Sequence, residues 1–291
     1  MVSSFFLGRF GGEDDDDLLV LLDMGALKRQ IVQTKHGTIS FLQTGAEHAK
    51  VVVFLHGIAG NAESFSKQLS GLPSYRVLAW DAPGYGETSA IQHPSMKSYA
   101  EILMSLLQVL DIPRISLLVG HSMGGICAQA FAGYYPDSVE RLVISSSYAG
   151  DALSCTKPLA EKWTERLRDL ETMPALEFGV ARARGMLTGS RFAARLEKEV
   201  AEIAAKVTKA GLEGGCWLLH SADTRPFSRK YDMPVLLIVG EMDRVITPEK
   251  TVLLGKLIKR SRVAYLKDVS HVAYLEVPDQ YNRILVDFLQ E

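Results

Sequence analysis

No apolar run in this sequence is long enough to span a membrane, and no basic cluster is dense enough to hold a polyanion. Lysine and arginine number 32 against 34 aspartates and glutamates, a formal charge of -2. That balance argues against nucleic-acid and polybasic membrane partners. Cysteine is scarce: Cys127, Cys155 and Cys216 are far apart and odd in number. They form no CxxC pair, so they read as small apolar side chains in a reducing compartment, the cytoplasm. No His, Cys, Asp or Glu spacing suggests a metal site, and no P-loop or strand-linked GxGxxG suggests a nucleotide. The chain is therefore expected to use no cofactor and no metal.

What is plentiful is apolar residue, 47% of 291, enough for a large core. The first 27 residues read as an extension. Phe5, Phe6 and Leu7 make too short an apolar stretch for a secretory signal, and an acidic run over 13–17 follows at once. The apolar patch over 18–22 suits either a helix docked on the body, with aspartates at its N-terminus, or an unstructured leader.

From residue 28 onward strands and helices alternate. Strands are predicted over 30–34, 38–43, 50–55, 75–80, 115–119, 140–145, 235–239 and 262–266. Several are continuous aliphatic runs, as expected of strands covered on both faces. Lys35-His36-Gly37 suits a hairpin turn. Amphipathic helices fit 63–69, 96–110, 125–135, 250–259 and 278–290. Residues 150–230 break the alternation. They contain no convincing strand and show helical periodicity over 159–170, 175–186 and 192–210. Inserted between two strands of a parallel sheet, such a block should cover the C-terminal edge as a helical lid. Residues 28–149 and 231–291 would then form one core.

The most informative stretch is Gly120-His121-Ser122-Met123-Gly124, between the apolar run at 115–119 and a helical run from Ile126. A serine on so sharp a strand-to-helix turn takes a strained, positive-φ backbone. The residues two before and two after it must then lack clashing side chains. The strain lifts the hydroxyl clear of the sheet and aims a helix N-terminus at it. Such a hydroxyl needs a base, and the base an orienting acid. After the next-to-last strand comes Gly240-Glu241-Met242-Asp243, and after the last comes Asp268-Val269-Ser270-His271. Each residue type falls in the loop its role requires.

On these motifs, with His56-Gly57-Ile58, Asp81-Ala82-Pro83-Gly84-Tyr85-Gly86 and Glu276-Val277-Pro278, the chain resembles the serine hydrolases of the α/β-hydrolase superfamily. The resemblance runs from about residue 28 to the C-terminus. It implies an α/β-hydrolase fold: an eight-stranded, mostly parallel sheet flanked by helices. It also implies Ser122 as nucleophile, His271 as general base and acid, and Asp243 as orienting acid. The N–H groups of Ile58 and Met123 would form the oxyanion hole. His56 is expected to fix its loop, Asp81 to fix the following turn, and His121 to pack on the far side of the elbow. Glu241 rivals Asp243 by proximity, but the family pattern places the acid two residues later.

The resemblance narrows the substrate less. A serine at the elbow argues for acyl chemistry on a small-molecule ester or lactone. The segment around Arg182 and Arg184 is similar to 3-oxoadipate enol-lactonases, which act on carboxylated enol-lactones in aromatic catabolism. Either arginine would then bind a substrate carboxylate. Hydrolases of meta-cleavage products, which split C–C bonds, are a second possibility. They often carry Asn before the nucleophile and Trp after the histidine, where this chain has His121 and Val272. Carboxylesterases tolerate His before the nucleophile. A third class is the hydrolase-fold small-molecule receptor with little turnover. The sequence leaves the oligomeric state open, a homodimer included.

Overall fold

The computed structural model describes residues 27–291. The expected N-terminal extension, Leu27 apart, lies outside the described residues. Eight strands form one sheet: β1 (Gln30–Thr34), β2 (Gly37–Thr44), β3 (Val51–Leu55), β4 (Arg76–Trp80), β5 (Leu117–His121), β6 (Leu142–Ser145), β7 (Val235–Gly240) and β8 (Ser261–Leu266). Their order across the sheet is β1-β2-β4-β3-β5-β6-β7-β8. β2 runs antiparallel to both its neighbours, and the other pairings are parallel. Gly37, at φ 98, closes the β1–β2 hairpin in a conformation that favours glycine.

Strand side chains alternate between two cores, as the period of two requires. Val53, Leu55 and Leu118 join one apolar cluster, whereas Val52, Phe54, Leu117 and Val119 join the other. Every residue of β3, β4, β5, β6 and β7 is buried, while the edge strands β1 and β8 keep exposed positions. The helices are α1 (Ser66–Gly71), α2 (Met96–Val109), α3 (Met123–Tyr134), α4 (Glu161–Thr172), α5 (Ala175–Met186), α6 (Ala193–Ala204), α7 (Lys209–Ser221), α8 (Arg225–Ser228), α9 (Pro248–Gly255), α10 (Ala273–Glu276) and α11 (Pro278–Gln290). Apolar residues of α2, α3 and α9 feed the first cluster, and those of α1, α10 and α11 the second.

The strand order reverses at β3. The chain leaves β3 toward β4 on one side and returns to β5 on the other. Loops leaving neighbouring strands in opposite directions open a crevice at their C-terminal ends, which is where open α/β sheets bind ligands. The loop beginning Leu55-His56-Gly57 and the turn at His121-Ser122 flank this crevice.

Helices α4 to α8 fill the interval between β6 and β7, as the missing strand signal at 150–230 implied. The helix expected over 192–210 instead ends at Ala204. Thr208 then starts α7, its side chain accepting from the Gly211 N–H. No helical signal is legible over α7 because Gly211, Gly214 and Gly215 lower its propensity. Packing explains those glycines. A Cβ at Gly211 would meet Gly84 O at 2.7 Å, and one at Gly215 would meet Met123 Sδ at 2.8 Å.

Candidate active site

Ser122 is the N-cap of α3 and has φ 53 and ψ -117. Left-handed backbone on a residue with a side chain is strained, so the surroundings must hold it. Its N–H donates to Ser145 O at 2.9 Å, and its carbonyl accepts from the Ser147 hydroxyl at 2.6 Å and the Gly125 N–H at 2.9 Å. The glycine spacing has a direct steric cause. A Cβ at Gly124 would lie 2.0 Å from Leu55 O, and one at Gly120 would lie 2.3 Å from Gly124 O.

Asp243 follows β7 and His271 follows β8. His271 Nδ1 and Asp243 Oδ2 are 2.8 Å apart, with both side chains almost fully buried. The other carboxylate oxygen accepts from the Val245 and Ile246 N–H groups, each at 2.9 Å. Burial alone would raise the Asp243 carboxyl. The His271 ring, its hydrogen bond and the Ile246 N–H outweigh burial and hold it below the usual carboxylate range. An ionised Asp243 therefore selects the imidazole tautomer that carries its proton on Nδ1 and leaves Nε2 unprotonated. Glu241, the rival acid, is exposed, with its N–H donating to Leu266 O.

The histidine loop is anchored as well. The Glu276 carboxylate, buried to 1% exposure, accepts from the Ser270 N–H and contacts the hydroxyls of Ser270 and Ser190. The His271 N–H donates to Met186 O at 3.2 Å. Residues 186–190, in and after α5, thus hold the loop that presents His271.

Ser122 and His271 line one cavity of about 20 Å³, together with Gly57, Ile58 and Tyr274. Met186, Val200 and Ile203 of the insertion also line it. Among the described residues, no hydrogen bond reaches Ser122 Oγ, and the N–H groups of Ile58 and Met123 also have no partner. A larger surface cavity of about 630 Å³, beside Pro94, Met96 and Trp217, contains none of these groups.

His56 occupies the expected place. Its Nδ1 is 2.8 Å from Gly57 O, and its Nε2 accepts from the Ala82 N–H at 3.0 Å. Burial lowers its basicity, so the ring is a neutral brace between two loops. Asp81 ties together more than its own turn. Its carboxylate accepts from Ser40 Oγ at 2.6 Å, the Ala62 N–H at 2.9 Å and Arg29 Nε at 2.7 Å.

His121 does not pack on the far side of the elbow. Its ring lies 4.7 Å from that of His271 and 4.9 Å from that of Tyr274, and it lines the same cavity. The reason is steric. β5 ends at His121, and Gly57 leaves room for the ring, whose Cδ2 would be 3.2 Å from a Cβ there. Burial, then the nearby His271 and His56 rings, hold His121 well below the ordinary imidazole value.

The two arginines of the inserted segment separate. Arg184 is exposed and pairs with Glu197 at 3.3 Å. Arg182 is more enclosed, over the Phe178 ring and 3.4 Å from Asp169, with its Nε buried and unbonded. Sequence reasoning missed Tyr274, Met186, Val200 and Ile203 as lining residues. The only available signal was Tyr274 three residues after His271 on α10.

Among the described residues, none of the helices is long and apolar enough to cross a membrane, and no group of three or more His, Cys, Asp or Glu could hold a metal ion. Comparison with known proteins agrees with the fold. The family profile described as alpha/beta hydrolase fold matches residues 50–278. A Bacillus subtilis (strain 168) protein named as a 2-succinyl-6-hydroxy-2,4-cyclohexadiene-1-carboxylate synthase is 28% identical over 261 residues, spanning 84% of this chain and 92% of that protein. A 2-hydroxy-6-oxononadienedioate/2-hydroxy-6-oxononatrienedioate hydrolase of Escherichia coli O139:H28 is 28% identical over 262 residues, spanning 82% and 87%. The crystal structure of the enol-lactonase from Burkholderia xenovorans LB400 superposes with a TM-score of 0.78 at 25% identity, covering 90% of this chain and 100% of that one. With its profile match, its sheet order and its strained serine elbow, this chain belongs to the alpha/beta hydrolase fold family.

Proposed function

We propose that the chain is a serine hydrolase that cleaves a small carboxylic ester or lactone through an acyl-enzyme. The observation that carries this reading is the buried Asp243–His271 pair facing the cavity of the strained Ser122. His271 Nε2 takes the Ser122 proton as Oγ attacks the carbonyl carbon. Charge then develops on the carbonyl oxygen, and the N–H groups of Met123 and Ile58 stabilise it. Each such donor contributes on the order of 3 kcal/mol to lowering the barrier. The imidazolium, held by Asp243, passes its proton to the leaving oxygen. In a lactone that oxygen stays tethered to the acyl group. Water, deprotonated by the same imidazole, then releases the acid and restores Ser122.

The insertion acts as a lid in this account. A cavity of about 20 Å³ admits roughly one water molecule and no ester. Met186, Val200 and Ile203 must therefore withdraw for substrate to enter. The same closure would keep bulk water away from the reacting carbonyl.

A C–C bond hydrolase is the second reading. The Escherichia coli relative, named for the hydrolysis of two dioates, favours it. The test is turnover of p-nitrophenyl acetate beside a meta-cleavage product. Multiple turnovers of the ester that disappear in Ser122→Ala support the first reading. Turnover of the dienedioate alone would move the assignment to the second. Covalent labelling by a fluorophosphonate with no turnover of either substrate would favour a receptor.

A further inference from the structure

His121 lines the cavity of Ser122, yet the reaction proposed above gives it no task. It ends β5, with Ser145 of β6 on one flank and the loop that follows β3, at Gly57, on the other. The two ring nitrogens therefore meet different surroundings. Nδ1 is fully occluded and lacks a well-formed hydrogen bond, and the backbone of Ser145 is the group that favours a proton there. The opposite edge of the ring faces Gly57. A Cβ at Gly57 would lie 3.1 Å from Ser122 Cβ, 3.2 Å from His121 Cδ2 and 3.6 Å from His121 Nε2. The Nε2 edge and the side chain of Ser122 thus border one gap beside the loop of Ile58.

A proton on Nδ1, toward Ser145, leaves Nε2 with its lone pair. Among the described residues no hydrogen bond occupies Nε2. The centre of the His271 ring is 4.7 Å away. Two hydrogen bonds to one bridging water span roughly 5 Å, which suits the separation of these rings. The closed cavity of about 20 Å³ holds roughly one water. The other polar walls are weaker acceptors than an imidazole nitrogen. The Ser64 hydroxyl already accepts from the Asn61 N–H at 3.2 Å, and burial keeps the Tyr274 phenol protonated. His121 itself stays neutral, since burial and the two neighbouring rings hold it well below the ordinary imidazole value. It can accept a hydrogen bond without competing with His271 for the proton.

We propose that His121 Nε2 holds the water that releases the acyl group from Ser122. The inference rests on the hydrolase reading and adds a catalytic residue to its second half. Once the acyl-enzyme has formed, water lies between His271 Nε2 and His121 Nε2. Its oxygen bonds to the acyl carbonyl carbon while one of its protons passes to His271 Nε2. The other O–H stays hydrogen-bonded to His121 and is not transferred. The tetrahedral intermediate then breaks its bond to Ser122 Oγ, which takes the proton back from His271. The product leaves as the carboxylic acid, carrying the second proton. Acylation uses no water, so His121 touches no reacting atom in the first half.

The test times the two halves separately with p-nitrophenyl acetate. Release of p-nitrophenolate under enzyme excess gives acylation, and intact-mass spectrometry after rapid quenching gives the decay of the acyl adduct on Ser122. His121→Phe keeps a ring against His271 and Tyr274 but offers no acceptor. It should leave acylation within about 3-fold and slow the decay about 10-fold, the worth of one neutral hydrogen bond. His121→Leu, equally unable to accept, should show the same split and serves if the phenylalanine variant does not fold. His121→Gln, whose amide oxygen can reach the place of Nε2, should return the decay to within about 3-fold of wild type. Equal slowing of both halves would mean that His121 only packs against His271. That result, an unchanged decay, or no recovery with glutamine would overturn the proposal. No acyl adduct on Ser122 in the wild type would instead sink the hydrolase reading, on which the proposal stands.

Discussion

Replacing Asp243 with asparagine separates the role of charge and tautomer from that of shape. The side chain keeps its size, and the backbone N–H groups of Val245 and Ile246 fix which way the amide must turn. Both point at one carboxylate oxygen at 2.9 Å, so the amide carbonyl takes that place. The amide NH2 then occupies the position of Oδ2, 2.8 Å from His271 Nδ1. Two donors cannot face each other, so Nδ1 must become the acceptor and the proton moves to Nε2. The nitrogen facing the Ser122 cavity then has no lone pair with which to accept the hydroxyl proton. Loss of the correct tautomer in a triad of this kind costs about 10⁴-fold in kcat, or roughly 5.4 kcal/mol. The assay is p-nitrophenyl ester turnover from pH 6 to 10, with circular dichroism and thermal melting to check the fold. Asp243→Asn should melt near the wild type. A folded Asp243→Asn protein within 10-fold of wild-type kcat would refute the assigned role of Asp243.

Three other outcomes follow from the packing and the buried ionisable groups. Gly124→Ala should destabilise by more than about 3 kcal/mol, because its Cβ would strike Leu55 O at 2.0 Å, whereas Gly185→Ala, with nothing within 4 Å, should stabilise α5 by up to about 1 kcal/mol; chemical denaturation of both variants checks the contrast. Ser147→Ala removes the 2.6 Å hydrogen bond to the Ser122 carbonyl and should cost about 1–2 kcal/mol of stability with a fall in kcat, read from urea melts and turnover. Stability should decline as pH falls below about 6.5, because His56 and His121 stay neutral in the fold while the unfolded chain takes up protons. Their folded values lie below the unfolded ones, so each contributes up to about 1.4 kcal/mol of loss per pH unit between its two values. Urea midpoints from pH 7.5 to 5 should show the decline, and His121→Gln should flatten it.

The sequence was most legible where one physical cause acts locally. Strand runs read correctly because burial on both faces forces continuous aliphatic stretches. The Ser122 turn read correctly because its strain excludes side chains at Gly120 and Gly124. Asp243 and His271 lie in the loops after β7 and β8, the places to which strand order points. What failed depended on contacts remote in sequence. α7 was missed because its glycines serve the approach to Gly84 and Met123, not helix propensity. The side on which the His121 ring lies is not legible in the sequence, because it depends on the room that Gly57 leaves for it. The break within 192–210 is not legible locally, because it depends on the Thr208 cap, whose hydroxyl also donates to Gly84 O at 2.6 Å.

The most direct test of the proposed proton relay is the rate at which a fluorophosphonate forms its adduct, with the modified residue mapped by mass spectrometry. Wild-type protein should label at Ser122, and His271→Ala should slow that labelling by about 10³-fold or more while remaining folded. An adduct on another residue, or unchanged Ser122 labelling without the imidazole of His271, would contradict the account.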